Sequence, residues 1–310
     1  MCIKMKKNIF NNIKIAIVCL FFILILSIIS ILPANASENA FIQDSLNRKV
    51  AILPYNRIGI INPAAIKTFR FLEVKPENIV GVDSFSIKFY KDYLTTSTVN
   101  LGDFNNPNLE IILSLKIDLL ILDQSFPINK LKDLEKFNIN YFVYSTSAEN
   151  YDTLISSLHN LSILVSKEEK YNLLYKDFIQ IYEKKIRETS TIFKDKTALS
   201  IVWADKSIMV AGCDSYLAYM LALAGIKYSI LEKGWVQISI ETLLKLNPDF
   251  IIVATADLDK SYFSNPIFKS LKAYKNKKIY FFSKEDENIL LQPSFDLWKG
   301  IYELLLKFKD

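Results

Sequence analysis

Short β-branched runs alternate with amphipathic helical stretches along most of this chain, and that alternation restricts its fold more than any other feature. The runs RIGII (57–61), NIVGV (78–82), DLLIL (118–122) and YFVY (141–144) are bounded by Asn, Asp, Ser or Pro. Segments this short and this continuously apolar suit strands buried on both faces. Helical stretches lie between them, for example Ala64–Leu72 and Leu131–Phe137. The pattern returns in the second half as LSIVW (199–203), FIIVA (250–254) and KIYFF (278–282). Strand–helix alternation of this kind predicts mostly parallel sheets covered by helices on both sides. The expected class is α/β, with two doubly wound lobes.

A different object separates the halves. Leu154, Leu158, Leu161 and Val165 form one helical stripe, and Ser166-Lys-Glu-Glu169 has the pattern of a capping box that would start a new helix. Tyr171, Leu174, Tyr175, Phe178, Ile181 and Tyr182 continue at helical spacing to about Thr189. Such a helix has about 24 residues and spans roughly 36 Å. No Gly/Ser or Pro run in the exported part of the chain resembles a flexible linker. The expected layout is therefore an N-terminal lobe over 37–166, a single connecting helix over 167–190 and a C-terminal lobe over 191–310, each lobe Rossmann-like and moving little against the other.

The first 36 residues read as a signal peptide. Lys4, Lys6, Lys7 and Lys14 precede an apolar run from Ile15 to Leu32, and Ala34-Asn35-Ala36 supplies a small-x-small cleavage site. The expected compartment is periplasmic, with cleavage after Ala36; the alternative is an uncleaved N-terminal membrane anchor, for which the apolar run is just long enough. Val18 before Cys19 is too large for a lipoprotein site. Loss of the leader removes four of the 38 basic residues and leaves 34 against 33 acidic ones, a net charge of +1. Nucleic acid as a partner thus has no electrostatic support. Only Cys213 of the three cysteines remains, so no intrachain disulfide is available and the apolar core must hold the fold.

One segment occurs twice. NLEIILSLKIDLLIL (108–122) and SIETLLKLNPDFIIV (239–253) align without a gap at an offset of 131, pairing Glu110 with Glu241, Leu113 with Leu244 and Asp118 with Asp249. An aromatic residue, Phe104 or Trp235, stands six positions before each glutamate. Each copy reads as a short helix, capped by Asn108 or Ser239, feeding a buried strand. A glutamate in a first helical turn is favoured by the helix dipole alone. Two equivalent carboxylates, one per lobe, also make a two-point handle for a two-fold partner.

The segments FNNPNLEIILSLKIDLLILD and GWVQISIETLLKLNPDFIIVATA resemble the signature segments of the iron-siderophore, haem and cobalamin binding proteins of ABC importers. DSLNRKVAILPYNRIGIINPAAIKTFRFLEVKPENIVGVD near the start and NPIFKSLKAYKNKKIYFF near the end resemble that family's opening and closing motifs. The resemblance runs from about Asp44 to Asp310. It implies two α/β lobes bridged by one long helix and places Glu110 and Glu241 in the slots that dock on the permease. The implied partners are an ABC permease dimer with its ATPase and a small-molecule metal chelate, such as a ferric siderophore or cobalamin. Ile117 stands where relatives carry proline, and several of the family's glycines are absent; the chain has only seven.

Ligands of doubly wound sheets bind beyond the C-terminal ends of the strands. Aromatics dominate those ends here, and the candidate cleft residues are Phe85, Phe104, Phe126, Trp203, Trp235 and Lys284, with Lys206 a further cation. The resemblance implies ligand contacts at Phe104, Trp203 and Trp235. No metal ligand is expected among the protein's own side chains: His159 is the sole histidine, and no CxxC, HExxH or carboxylate cluster occurs. No cofactor is expected apart from the transported ligand. Catalysis lacks a nucleophile–base pair, a GxSxG and a phosphate-binding glycine loop. An exported α/β enzyme and a non-transporting receptor of the same fold are the alternatives.

Overall fold

The computed structural model describes residues 40–104, 106–124, 126–145, 151–205, 207–256, 258 and 260–309. The predicted signal segment with its Ala36 site, and Lys206, lie outside the described residues. The chain divides into two compact units, Met1–Phe41 and Ile42–Asp310. Both large sheets and the long helix belong to the second unit.

The first half forms a five-stranded sheet from β1 (Ile58–Ile61), β2 (Ile79–Val82), β3 (Val99–Asn100), β4 (Leu119–Asp123) and β5 (Tyr141–Tyr144). Their spatial order is β3-β2-β1-β4-β5, and every pairing is parallel. The direction of winding therefore reverses between β1 and β4, where such sheets open a crevice. All four residues of β1 and of β5 are buried, as continuous apolar runs require.

The second half forms a six-stranded sheet from β6 (Thr197–Ala204), β7 (Ile208–Ala211), β8 (Lys227–Tyr228), β9 (Trp235–Ile238), β10 (Phe250–Val253) and β11 (Ile279–Phe281). Strands β6, β10 and β11 are parallel; on the other side β7 pairs antiparallel with β6, and β9 antiparallel with β7. This sheet is more mixed than the alternation predicts. The β6–β7 connection is too short for the crossover a parallel pair needs, so a hairpin is the only option.

The duplicated segment does the same work in both sheets. Asn108 caps the helix Leu109–Ser114 by accepting from the Ile111 amide at 3.1 Å, and Ser239 caps Ile240–Leu246 through the Thr242 amide at 3.2 Å. Asp118, just before β4, accepts the Arg57 amide at 3.0 Å at the entry to β1. Asp249, just before β10, accepts the Thr197 amide and hydroxyl at 3.0 Å at the entry to β6. Each aspartate thus fixes the register of a parallel neighbour from the strand start. Ile117, in place of the proline, is buried beneath Gly59, where a Cβ would come within 2.6 Å of the Ile117 Cδ1.

The helix Tyr151–Leu164 leads into a continuous helical run from Glu168 to Glu188, in which Tyr175–Gln180 is π-helical. The capping box expected at Ser166 is not formed. Ser166 instead takes φ 54° and ends the helix Tyr151–Leu164: its amide donates to Ile163 O at 3.0 Å and the Lys167 amide to Ser162 O at 2.7 Å. Both bonds belong to a Schellman stop, which needs the left-handed conformation that an N-cap residue does not have. Seven other described non-glycine residues have positive φ, among them Glu73, Lys116, Asn138 and Asn247, each just after a helix. The few glycines are explained by these substitutes at helix ends.

Three apolar clusters organise the packing. One covers the outer face of each sheet separately, and the largest runs without interruption from Ile58 and Phe69 through Tyr171, Ile179 and Ile186 of the long helix to Leu217, Phe250 and Trp298. Phe71 meets Phe178 of the helix edge-on at 5.6 Å, while Tyr171 meets Phe295 at 5.9 Å. The helix is therefore mortared to both sheets by one core.

Candidate functional site

The site grows from the ends of β1, β2 and β4. Asn62 follows β1 and caps the helix α1 (Pro63–Phe71) by accepting from the Ala65 amide at 3.0 Å; its Nδ2 donates to Asp123 Oδ2 at 3.1 Å at the end of β4. This pair straddles the reversal point of the sheet. Asp83 follows β2 and caps the helix α2 (Ser84–Phe89) through the Ser86 amide at 2.9 Å and hydroxyl at 2.6 Å. Burial raises the Asp83 carboxyl above its ordinary range, opposed by the two Ser86 bonds. The cap starts a turn that brings Phe85 and Phe89 onto one side, stacked with centroids 4.1 Å apart and planes 23° from parallel. The Lys88 ammonium lies 5.6 Å from the Phe89 ring centre.

A cavity of about 900 Å³ opens between these rings and the second half of the chain. Its first wall comprises Asn62, Pro63, Ala64, Phe85, Lys88, Phe89, Phe104 and Asp123; the facing wall comprises Lys284, Glu287, Asn288, Leu291 and Gln292. Phe104 is held on a tight hairpin whose Gly102 has φ 95°, and a Cβ there would strike Asn106 O at 2.7 Å. Ser283 and Asp286 form a capping box that starts the helix Lys284–Leu290. Lys284 Nζ pairs with Glu287 Oε2 at 3.0 Å, and Glu287 Oε1 accepts the Ala256 amide at 2.6 Å. The wall thus carries two cations, two carboxylates and three phenylalanine rings, with no arginine. It suits an organic ligand that is large, partly flat and of low net charge.

Of the predicted cleft residues, the structure brings Phe85, Phe104 and Lys284 together. Phe126 is a correction: it is 5% exposed and packs in the core under the first sheet with Ile61, Leu122 and Leu131. It lies just past the end of β4, but its ring points into the layer that the adjacent helix Ile128–Lys136 covers. We expect Phe126→Ala to cost about 3 kcal/mol of stability as a core truncation, and Phe104→Ala to cost far less; urea unfolding of both variants checks this, and an equal cost would contradict the assignment. Trp203 and Trp235 do not line the cavity. They are 56% and 72% exposed on one face of the second sheet, where Trp203 opposes Met209 and Trp235 opposes Ala211 across β7.

Glu110 and Glu241 are both exposed in the first turns of their helices. The Ser239 hydroxyl, and then its own amide, hold the Glu241 carboxyl below its ordinary range. His159 is half-buried against the Tyr171 ring at 4.8 Å. Among the described residues no group of three or more His, Cys, Asp or Glu side chains could hold a metal ion, and no helix is long and apolar enough to cross a membrane. Sequence reasoning missed Asn62, Lys88, Phe89, Asn288 and Gln292. The Asn-Pro that follows RIGII was the available signal, since a cap and a Pro at the first helical position mark the strand end next to a reversal point.

A cavity walled by two α/β halves that share a single core through one long helix defines a two-lobed ligand-binding protein. The chain belongs to the periplasmic binding protein family, whose pattern it matches over residues 62–285, and so to the substrate-binding proteins of ABC importers. It is similar to the Fe(3+)-citrate-binding protein YfmC of Bacillus subtilis (strain 168), 24% identical over 258 residues, or 80% of this chain and 79% of that protein. The iron-uptake system-binding protein of the same organism is 27% identical over 266 residues, or 79% of this chain and 80% of that protein. Among solved structures, the catecholate-siderophore binding protein VctP of Vibrio cholerae has a TM-score of 0.71 at 15% identity, covering 87% of this chain and 100% of that one. The molybdate-binding protein MolA of Haemophilus influenzae also has a TM-score of 0.71, at 18% identity, covering 87% and 91%.

Proposed function

We propose that this protein is exported, with its leader removed after Ala36, and captures an organic ferric chelate, which it hands to an ABC permease dimer with its ATPase. The metal enters as cargo within its chelate; the protein itself holds no cofactor and performs no catalysis. The observation that carries this reading is the cavity of about 900 Å³ with Phe85, Phe89 and Phe104 on its first wall and only two lysines to set against two carboxylates. A bare oxyanion would leave most of that volume unfilled and would face two like charges. A chelate encloses the ferric ion in organic matter whose apolar faces the rings can cover. The names of the relatives, for ferric citrate and iron uptake, support the same class. Trp203 and Trp235 serve, in this reading, a cargo that extends beyond the cavity. Glu110 and Glu241 are the docking groups, one for each permease subunit.

Native mass spectrometry of the protein exported by its own cells, followed by calorimetry with ferric hydroxamate, ferric catecholate, ferric citrate, cobalamin, haem and molybdate, tests the reading. A ferric chelate is expected to bind with a Kd of about 1 μM or tighter. Binding of molybdate alone, or of no iron complex, overturns it.

A further inference from the structure

The cavity's second wall is tied to the first lobe by a buried polar network that starts at Lys67. This lysine lies on α1 and is 5% exposed. Its ammonium is 2.8 Å from Asp296 Oδ1 and donates to Asn288 O at 2.6 Å and to Gln292 O at 3.3 Å. An ammonium has three donors; two go to these carbonyls, and the carboxylate it touches as an ion pair lies in the same segment, 288–296 of the second half. The neighbouring Thr68, fully buried, is 2.9 Å from the Ser294 hydroxyl and 3.1 Å from the Tyr144 hydroxyl. Tyr144, at the end of β5, donates to Pro293 O at 3.0 Å. Tyr90 donates to Asn288 Oδ1 at 3.3 Å and bonds Gln292 Oε1. Phe295, within this segment, and Trp298, just after it, are fully buried.

Asn288 and Gln292 belong both to this network and to the cavity wall. We propose that Lys67 is a positioning residue, which pins segment 288–296 across the lobe boundary and so presets Asn288 and Gln292 for cargo. The proposal rests on the reading of the cavity as the cargo site. A buried ammonium is tolerated only where every donor is matched and a counter-charge is in contact. Rotation of one lobe against the other would strand Lys67 and Asp296 in the interior without each other. Hydrophobic packing alone tolerates sliding; a directional network with a buried charge at its centre selects one position. Burial pushes the Lys67 ammonium down and the Asp296 carboxyl up, and their contact opposes both shifts.

The test uses the full-length exported chain with Cys213→Ser and spin labels at Lys136→Cys and Lys245→Cys, both exposed and in different lobes. Pulsed electron spin resonance on ligand-free protein is expected to give one narrow inter-label distance with Lys67 present and a broadened or displaced one in Lys67→Met. A distribution in Lys67→Met as narrow as, and centred with, that of the parent overturns the proposal. If Lys67→Met does not fold, Tyr90→Phe and Asp296→Asn carry the same comparison. In a parallel titration with ferric citrate, Lys67→Met and Tyr90→Phe are expected to lose roughly ten-fold in affinity, and Lys67→Arg to recover part of it; unchanged affinity in both also overturns the proposal. Failure of the parent to bind ferric citrate counts against that cargo and leaves the ligand-free distances to decide the pin.

Discussion

Reversing Glu110 and Glu241 together to lysine is expected to abolish assembly with the permease while leaving ligand affinity unchanged. Both side chains are exposed, and both stand in the first turn of a short helix beside a side-chain cap. In the isolated protein their work is small, because a solvated carboxylate near a helix N-terminus is weakly favoured and screened by salt. In a docked complex each would form a charge-assisted pair with a permease arginine, and a lysine in its place would set like charges in contact. We expect each single reversal to weaken assembly roughly ten-fold or more, and the double reversal to remove it. Neither residue lines the cavity, so chelate titrations of Glu110→Lys, Glu241→Lys and the double variant should match the parent. The measurement is co-purification with the permease–ATPase complex in detergent. Normal assembly by the double variant would reduce both glutamates to helix stabilisers.

The second large effect is alkaline unfolding. Burial raises the phenols of Tyr90, Tyr93, Tyr144 and Tyr216 well above the ordinary 10.0 and pushes those of Tyr141 and Tyr171 up to about 12. A folded-state phenol with a raised pKa keeps its proton at a pH where the unfolded chain has released it. The stability it contributes is therefore complete below pH 10.0 and is lost as the pH rises through the folded-state value. A fully buried group of this kind removes ~1.4 kcal/mol per pH unit in that window. Tyr90 and Tyr144, 3% and 0% exposed, together should cost about 3 kcal/mol at one unit above 10.0. That is a large part of the usual stability of a domain. Urea unfolding between pH 9 and 11.5 checks this, with Tyr144→Phe expected to shallow the decline by ~1.4 kcal/mol per unit. Constant stability across the range, or release of all phenol protons near pH 10 without unfolding, would contradict it.

Much of the fold is legible in the sequence because it is written in local patterns. The strands at 58–61, 79–82 and 250–253 coincide with apolar runs whose continuity admits little else. The duplicated Asn/Ser, Glu and Asp positions map onto caps, first turns and strand entries, since each of these depends on residues a few positions apart. Ser166 departs from its expected role because two local signals compete there. A Ser followed three positions later by Glu fits a helix start, yet the same serine stands where the helix Tyr151–Leu164 must stop, and the Schellman bonds to Ser162 and Ile163 take it. Phe126 departs because a strand end fixes where a residue is along the chain and leaves open which side of the sheet its ring enters.

The sequence by itself determined the class of fold, the two-lobe plan and the paired exposed glutamates, because hydrophobic period, capping chemistry and an internal repeat act over short spans. Only the tertiary structure decided the cavity. Lys67, Tyr90 and Tyr144 meet Asn288, Gln292 and Pro293 across 149 to 225 positions of sequence. No local pattern marks such partners, because their bonds exist only after two sheets and one long helix have been packed into a common core.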